Sequence, residues 1–193
     1  MKFWKTDALP PNLTEIESKT QELGFNMASD RKLGSILRTL VASRQGGRIL
    51  ELGTGTGHAL AWMLDGMDAA ATLITLDNDP ATQAVAEHFY SKDVRVRFQC
   101  ADAGQWLSDF KGEPFDLVFA DAWPGKFSHL DQALSLIRPG GIYFIDDLIE
   151  QPNWPVGHHA KVRRLIRDLE SRKNFVTVKM DWSTGILIAV RRF

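Results

Sequence analysis

Arg-Ile-Leu-Glu-Leu-Gly-Thr-Gly-Thr-Gly, residues 48–57, is the stretch that decides the fold of this chain. An apolar run that contains one acid, Glu51, is followed by glycines at alternate positions, Gly53, Gly55 and Gly57. Glycine lets the backbone adopt a positive φ and lets a ligand approach the main chain with no Cβ in between. Free amide groups at the start of the following helix also favour an anionic group. The stretch therefore predicts a strand, a ligand-binding turn and a helix.

The length and charge of the chain set limits on its architecture and partners. At 193 residues it is long enough for a full hydrophobic core, so we predict a single domain over residues 1–193. Within it we predict an N-terminal helical cap at 1–45 and an α/β core at 46–193. The formal net charge of −1 indicates no overall attraction to polyanions, and a nucleic-acid partner is therefore not favoured.

Cysteine usage and the N-terminus indicate the compartment. Cys100 is the single cysteine, which excludes an internal disulfide and suits a reducing environment. The first residues, Met-Lys-Phe-Trp-Lys-Thr-Asp, lack the apolar stretch of a signal peptide. No apolar run approaches the ~18 residues that a membrane span needs. We therefore expect a cytoplasmic protein that does not cross a membrane.

Short β-rich runs alternate with helical patterns from about residue 48 onward, which is typical of a sheet with helices on both faces. We predict a Rossmann-like, doubly wound α/β fold with a mostly parallel sheet. Its strands are predicted at 48–52, 72–76, 94–99, 115–120, 141–145, 175–180 and 186–191. The connection between the last two strands is too short for a helical crossover, so these two should form an antiparallel hairpin at the C-terminal end.

Helical spacing predicts the helices that flank this sheet. Two N-terminal helices are expected, one at 13–23 and one that begins at Ser29-Asp30. A later helix is predicted to begin at Ser128 and to include Ile137, and to end before Pro139-Gly140-Gly141.

An acidic residue stands at or near the end of each of the first five predicted strands. In an open α/β sheet the ligand lies outside the carboxyl ends of the strands, at the point where the strand order reverses. Side chains at strand ends are therefore the candidate binding residues. The acids are Glu51, Asp77, Asp102, Asp121 and the pair Asp146-Asp147.

Two classes of ligand compete for the glycine turn. A dinucleotide site has the pattern Gly-x-Gly-x-x-Gly, and here His58 stands where the third glycine would be. Glu51 would also bring a carboxylate close to a pyrophosphate. S-adenosylmethionine carries an ammonium, a sulfonium and a ribose diol but no phosphate, so it suits an acid beside the turn. The pattern favours S-adenosylmethionine over a nicotinamide cofactor.

Four segments carry a resemblance to a known family. They are 49–57, 73–80, 115–123 and 136–141, the last running into 145–147. In this order, across about residues 29–150, they resemble the class I S-adenosylmethionine-dependent methyltransferases. Within that class they are most similar to the catechol and caffeoyl-coenzyme-A O-methyltransferase branch.

The resemblance implies a cofactor site. Glu51 and the backbone of Gly53 and Gly55 would face the methionine part, and Asp77 would bind the ribose hydroxyls through charge-assisted hydrogen bonds. Asp102 would face the adenine amino group, or would only cap the next helix, and both interpretations stay open. The implied cofactor-binding set is Glu51, Gly53, Thr54, Gly55, Gly57, Asp77, Asn78, Ala101, Asp102, Asp121 and Trp123.

The resemblance also implies a catalytic site with one clear departure. In the resembled branch two aspartates and an asparagine hold a divalent cation that activates the acceptor hydroxyl, and a lysine three residues after the first aspartate is the base. Asp121 and Asp146 stand at the first two ligand positions, and Asp147 stands where the asparagine would be and still offers an oxygen, which implies Mg²⁺ or another divalent cation. Pro124 occupies the position of the base, and Lys126 follows two residues later. Asp121 and Lys126 are the implied catalytic residues.

An alternative for the acids is that Asp121 contacts the cofactor and that Asp146 or Asp147 caps the next loop. His129, His158 and His159 are further candidate bases. Trp154, in the loop after the paired acids, is a candidate wall of the acceptor pocket. No spacing rule selects among these alternatives.

The sequence predicts a methyltransferase that acts on a hydroxyl of a small molecule, with aromatic acceptors included. One alternative is an enzyme that methylates nitrogen or RNA, although Asp121-Ala122-Trp123-Pro124 departs from the Asp/Asn-Pro-Pro-aromatic motif of amino-methylating enzymes. Another is a cofactor-binding protein without catalysis. The sequence leaves open the acceptor and the oligomeric state, including a homodimer formed through the N-terminal helices.

Overall fold

The computed structural model describes residues 8–151 and 154–193. Over these residues the strands are β1 (Arg48–Leu52), β2 (Thr72–Asp77), β3 (Val96–Cys100), β4 (Phe115–Ala120), β5 (Ile137–Ile145), β6 (Phe175–Met180) and β7 (Ile186–Arg191). The helices are α1 (Leu13–Glu22), α2 (Arg31–Ala42), α3 (His58–Gly66), α4 (Pro80–Tyr90), α5 (Ala103–Asp109), α6 (Trp123–Lys126), α7 (Leu130–Ser135) and α8 (His158–Ser171). None of these described helices is long and apolar enough to cross a membrane.

The seven strands form one sheet in the order β3-β2-β1-β4-β5-β7-β6. Strands β1 to β5 pair in parallel, while β7 is antiparallel both to β5 and to β6. The predicted Rossmann-like fold and its antiparallel C-terminal hairpin are confirmed. Since the chain moves outward from β1 through β2 to β3 and then returns to β4, the strand order reverses between β1 and β4. A crevice for a ligand is expected at that edge.

Strand β4 separates two hydrophobic cores, one on each face of the sheet. All six of its residues are buried. Leu117 and Phe119 join the core under α1, α2, α3 and α4. Val118 and Ala120 join the core under α5, α7 and α8. Because side chains alternate between the two faces of a strand, a strand covered by helices on both sides must be apolar at nearly every position.

The predicted helix from Ser128 is wrong at both ends. The helix begins one residue after His129, which adopts a left-handed conformation (φ 53°), and Ser128 makes no capping bond to it. Ile137 belongs to β5, where it pairs with Phe115 and is fully buried. Its apolar spacing fits a helix, but pairing with β4 buries it in the sheet instead. The pairing register then shifts between Phe115 and Leu117.

The predicted start of the third strand at residue 94 is also wrong. Val94 is 97% exposed, and the strand begins at Val96, which pairs with Leu73 of β2. A β-branched residue here lies outside the ladder, so strand propensity alone extends the strand too far.

The two N-terminal helices, α1 and α2, contribute apolar side chains to the core that contains Leu117 and Phe119. These side chains include Leu13, Ile16, Leu33 and Leu37. The division into a cap at 1–45 and a core at 46–193 stays a prediction. The contact between α2 and α3 is especially close. Gly34 of α2 faces the indole ring of the buried Trp62 in α3, and there is no room for a Cβ between them.

Gly34→Ala is therefore expected to destabilise the fold, although alanine is the better helix former by about 1 kcal/mol. The added methyl group would overlap the ring of Trp62, and overpacking of this kind costs about 1–3 kcal/mol. Urea unfolding measures the change. Thr39→Ala, on the exposed face of the same helix, is the control and should stay within about 0.5 kcal/mol of the unsubstituted protein. An unchanged or increased stability of Gly34→Ala would contradict the close contact.

Candidate active site

A pocket of about 380 Å³ opens at the carboxyl edge of the sheet, where the strand order reverses. Its walls come from the glycine turn after β1, from the residues that follow β2, β3 and β4, and from the segment between α1 and α2. Nine residues of the cofactor-binding set predicted from the sequence line it: Gly53, Thr54, Gly55, Asp77, Asn78, Ala101, Asp102, Asp121 and Trp123. Glu51 and Gly57 are not among the lining residues.

The glycine turn is shaped by close approaches of the backbone. Gly53 has φ +100°, and a Cβ there would stand 2.7 Å from the carbonyl oxygen of Asp121. Gly57 has φ +91°, and a Cβ there would stand 2.7 Å from the Cβ of Ala86 in α4. The structure thus gives Gly57 a packing role beneath the pocket, while Gly53 brings the turn against the end of β4.

Asp77 ties the turn to the end of β2. One carboxylate oxygen accepts a hydrogen bond from the Gly55 N–H at 2.7 Å, and the other accepts from the Asp79 N–H at 2.9 Å. The helix-capping role belongs to Asp79, which accepts from the Ala81 N–H at the start of α4. Asp77 is therefore left on the pocket wall with its charge facing the turn.

Asp102 combines the two roles that the sequence left open. Its side chain caps α5 by accepting a hydrogen bond from the Gln105 N–H at 2.7 Å. The residue also lines the pocket, next to Ala101. The capping bond fixes the carboxylate at the pocket edge, so a role in binding the cofactor remains a prediction.

Glu51 lies behind the glycine turn and is fully buried. Its carboxyl group accepts a 2.5 Å hydrogen bond from the Thr75 hydroxyl, which is itself hydrogen-bonded to Thr54 at 2.6 Å. Gln83 of α4 donates to Thr54 at 3.0 Å. The other oxygen of Glu51 has no partner in the described part of the chain. Burial raises the pKa of Glu51 to about 8, against an ordinary value of 4.5.

The three predicted metal-ligating acids come together at the ends of β4 and β5. Asp121, Asp146 and Asp147 each offer an oxygen atom, and these atoms lie within 4.8 Å of one another. Burial raises the pKa of Asp121 well above its ordinary value, and the neighbouring Asp146 raises it further. Burial, with Asp146, also raises the pKa of Asp147. Such a cluster is unstable without positive charge.

Lys126 supplies that charge from within the chain. Its Nζ donates to Oδ1 of Asp146 at 2.9 Å and to Oδ1 of Asp121 at 3.1 Å, and its side chain is 5% exposed. Burial alone would lower the pKa of Lys126, but the charges of Asp146 and Asp121 outweigh it and raise the pKa above its ordinary value. The side chain is therefore a buried ammonium at neutral pH.

A cluster of aromatic rings, called here the aromatic wall, meets the pocket through Trp123, which is the member that lines it. The ring of His158 lies 4.6 Å from Trp154, 5.1 Å from Phe127 and 6.1 Å from Trp123, measured between ring centroids. The ammonium of Lys161 lies 4.4 Å from the ring centre of Trp123. Pro152 and Asn153, in the same loop as Trp154, lie outside the described residues.

Of the three histidines proposed as bases, His158 belongs to this aromatic cluster, and burial and Lys161 lower its pKa. His129 instead contacts the Ser128 hydroxyl at 3.2 Å, and His159 is exposed on α8. The structure therefore groups only His158, of these three, with the aromatic wall.

Sequence reasoning missed the residues that the N-terminal segment brings to the pocket. Phe25, Met27, Ala28 and Ser29 line it. A hydrogen bond of 2.7 Å from the Thr20 hydroxyl to Thr56 links α1 to the glycine turn and helps to place this segment. No motif marks these positions, because their role depends on a contact between residues 36 positions apart.

Comparisons with known proteins agree with this geometry. A family model described as a methyltransferase domain matches residues 50–148, about half of the chain. A Mycobacterium avium (strain 104) protein named "Putative O-methyltransferase" is 31% identical over 170 residues, which cover 82% of this chain and 76% of that one. A catechol O-methyltransferase of Niastella koreensis is 33% identical over 123 residues, covering 60% and 56% of the two chains.

Solved structures extend the similarity to the whole fold. The O-methyltransferase from Bacillus cereus in complex with SAH has a TM-score of 0.81 at 21% identity, over 96% of this chain and 93% of that one. The matched stretch spans between 50% and 76% of the length of the curated relatives. Family membership follows from the matched domain and from the identity to the Mycobacterium protein, and the resemblance seen in the sequence is confirmed. The chain belongs to the methyltransferase-domain family, among the class I S-adenosylmethionine-dependent O-methyltransferases.

Proposed function

We propose that the protein transfers a methyl group from S-adenosylmethionine to a hydroxyl oxygen of a small molecule. The observation that carries the proposal is the shared wall of the pocket. Asp121 lines the same cavity as the glycine turn and Asp77, so a cofactor held by the turn would present its methyl group beside an acidic cluster. Methyl transfer depends mainly on holding the acceptor oxygen in line with the methyl carbon, and adjacent sites favour this.

The cofactor would extend across the pocket from the glycine turn toward α5. The turn at Gly53 and Gly55 would hold the methionine part, and Asp77 would accept hydrogen bonds from the ribose hydroxyls. Ala101 and Asp102 stand at the far edge, where the adenine would lie. A charge-assisted bond to a diol is the strongest single contact in this arrangement.

The reaction moves one methyl group and one proton. The bond between sulfur and the methyl carbon breaks, the new bond between oxygen and methyl forms, and sulfur keeps the electron pair as a neutral thioether. The hydroxyl proton has to leave the oxygen. Asp121, with a raised pKa and 17% of its side chain exposed, is suited to accept it. Lys126, held as an ammonium by two carboxylates, would position Asp121 and would not take the proton itself.

The aromatic wall supports a hydroxylated aromatic acceptor. Trp123 is 47% exposed at the pocket edge, and Trp154 and His158 lie behind it. Flat rings of this kind pack well against an aromatic substrate.

Three further features belong to this proposal. The exposed thiol of Cys100 suits a reducing compartment, and we place the protein in the cytoplasm.

A homodimer remains a prediction that sedimentation would test. The oxygen ligands of Asp121, Asp146 and Asp147 are the type that Mg²⁺ prefers, but a lysine ammonium stands among them, so no step of the mechanism is assigned to a metal ion.

Asp77→Asn tests the cofactor site. Asparagine keeps an oxygen for the Gly55 N–H but loses the charge that would bind the ribose hydroxyls, so S-adenosylhomocysteine should bind about 10- to 100-fold more weakly. Isothermal titration calorimetry measures the affinity. Asp109→Asn, which removes an exposed carboxylate on α5 outside the pocket lining, should leave it within about twofold. Equal affinity in Asp77→Asn and in the unsubstituted protein would remove Asp77 from the cofactor site.

Glu51→Gln separates stability from cofactor binding. The unfolded chain releases the Glu51 proton near pH 4.5, whereas the folded protein keeps it to about pH 8. Between these values the unfolded state binds fewer protons, so the free energy of unfolding falls by up to about 1.4 kcal/mol per pH unit as the pH rises. Glutamine cannot ionise, and relative to the unsubstituted protein the variant should therefore gain about 1 kcal/mol at pH 5, rising to about 4 kcal/mol at pH 8.

Urea unfolding at several pH values measures this change, and Glu87→Gln on the exposed face of α4 controls for the loss of a glutamate. A stability difference that stays constant with pH would contradict the raised pKa of Glu51. Because Glu51 lies outside the pocket wall, Glu51→Gln should also bind S-adenosylhomocysteine within a few-fold of the unsubstituted protein.

A further inference from the structure

We propose that the buried ammonium of Lys126 takes the place of the divalent cation at the acidic cluster, so that methyl transfer by this protein needs no metal ion. The inference rests on the proposed methyl transfer, and it concerns which positive charge neutralises the acidic cluster. The resembled O-methyltransferase branch implies a cation at Asp121, Asp146 and Asp147. The position of Lys126 disagrees with that implication.

The ammonium of Lys126 contacts two of the three acids directly. The Nζ of Lys126 lies 2.9 Å from Oδ1 of Asp146 and 3.1 Å from Oδ1 of Asp121, hydrogen-bond distance in both cases. Asp146 and Asp121 are two of the three residues whose carboxylates a cation would use. A divalent ion bound to the same carboxylates would lie close to an ammonium in a poorly solvated place, where like charges repel strongly.

Lys126 and Asp146 are also shielded from water. The side chains of Lys126 and Asp146 are 5% and 4% exposed. Mg²⁺ is reluctant to lose its hydration shell and usually keeps several waters when it binds to protein carboxylates. Because Lys126 and Asp146 are shielded from water at this side of the cluster, an ion there would have to give up much of its hydration shell.

The turn that carries Lys126 shows that its position is built into the fold. Gly125 has φ +96°, which favours glycine, and a Cβ there would stand 2.5 Å from Cδ1 of Leu52. Its N–H donates to the Ser128 carbonyl at 2.7 Å, and the Tyr143 hydroxyl donates to its carbonyl oxygen. The Pro-Gly pair that displaces the lysine from the family's base position therefore also directs it toward the acids.

The ammonium of Lys126 has no other role in the proposed methyl transfer. The Nζ of Lys126 donates hydrogen bonds to Asp146 and Asp121, and Lys126 is not among the residues that line the pocket, so its position does not suit a base that contacts the acceptor. The same ammonium can stabilise the carboxylate of Asp121 and keep it aimed at the pocket. Lys126 is thus a positioning residue, and its partner Asp146 completes the pair.

A titration with Mn²⁺ tests the inference without any acceptor. Binding of Mn²⁺ to the purified full-length protein is followed by electron paramagnetic resonance, and the metal content of the protein as purified is measured by elemental analysis. The unsubstituted protein and Lys126→Arg, which keeps the positive charge, should bind Mn²⁺ no tighter than about 1 mM. Lys126→Ala removes the ammonium and should bind Mn²⁺ at least about 10-fold more tightly, with the gain lost in Lys126→Ala/Asp146→Asn.

Two results would overturn the inference. One is a stoichiometric, micromolar Mn²⁺ site in the unsubstituted protein that disappears in Asp146→Asn. The other is a folded Lys126→Ala protein that binds Mn²⁺ no better than the unsubstituted chain, since the ammonium would then not be what excludes the ion. If Lys126→Ala does not fold, the unsubstituted protein, Lys126→Arg and Asp146→Asn still test the inference. Weak Mn²⁺ binding in all three supports it, and a micromolar site in the unsubstituted protein that Asp146→Asn removes overturns it.

Cofactor binding keeps the inference separate from the proposed function. Failure of the unsubstituted protein to bind S-adenosylhomocysteine would remove the proposed function, whatever the Mn²⁺ titration shows. Normal binding of S-adenosylhomocysteine together with a native Mn²⁺ site would leave the methyl transfer in place and remove only the role of the ammonium.

Discussion

The carbonyl oxygen of Leu76 accepts hydrogen bonds from two successive backbone amides, those of Gly53 and Thr54, each at 2.9 Å. This pair of bonds holds the turn after β1 against the end of β2, and the carboxylate of Asp77 adds a third bond from the same strand end to Gly55. Each of these bonds requires the turn to follow the sheet closely, which glycine permits and larger residues would prevent. These bonds fasten the turn to its neighbour, and the groups that line the pocket would be displaced together if the turn were released.

The sequence was sufficient for the parts of the fold that depend on local pattern. The predicted bounds of strands β1 and β4 agree with the structure to the residue, because each is a mostly apolar run that contains a single acid, Glu51 in β1 and Asp116 in β4. The reversal of strand order and the acids at the strand ends followed from the same pattern. Ile137 was misassigned because its spacing from the preceding leucines fits a helix equally well. Only its pairing with Phe115, 22 positions earlier, places it in the sheet.

The candidate site was predictable in its membership and less so in its geometry. Strand-end position brought Asp77, Asp121 and Asp146 to the correct edge of the sheet. Nothing local distinguishes a buried lysine from an exposed one in a Pro-Gly loop, and the position of Lys126 depends on Asp146, 20 residues away. Glu51 was expected to face the ligand because it precedes the turn, but side chains alternate across a strand and its carboxyl group is directed into the buried network with Thr75.

The contact between Gly53 and the carbonyl of Asp121 limits how the protein can diversify. The cofactor turn and the first acid of the cluster share one layer of backbone, so a change that widens one compresses the other. New acceptor specificity would then have to arise away from this shared layer. The segment that carries Phe25 packs against Gly55 of the turn, so the aromatic side chains around His158 are the neighbouring region that can vary with less effect on the turn. The turn and the first acid can therefore be regarded as one fixed unit bordered by an adaptable aromatic surface, and under the proposed methyl transfer libraries aimed at new acceptors are best confined to that surface.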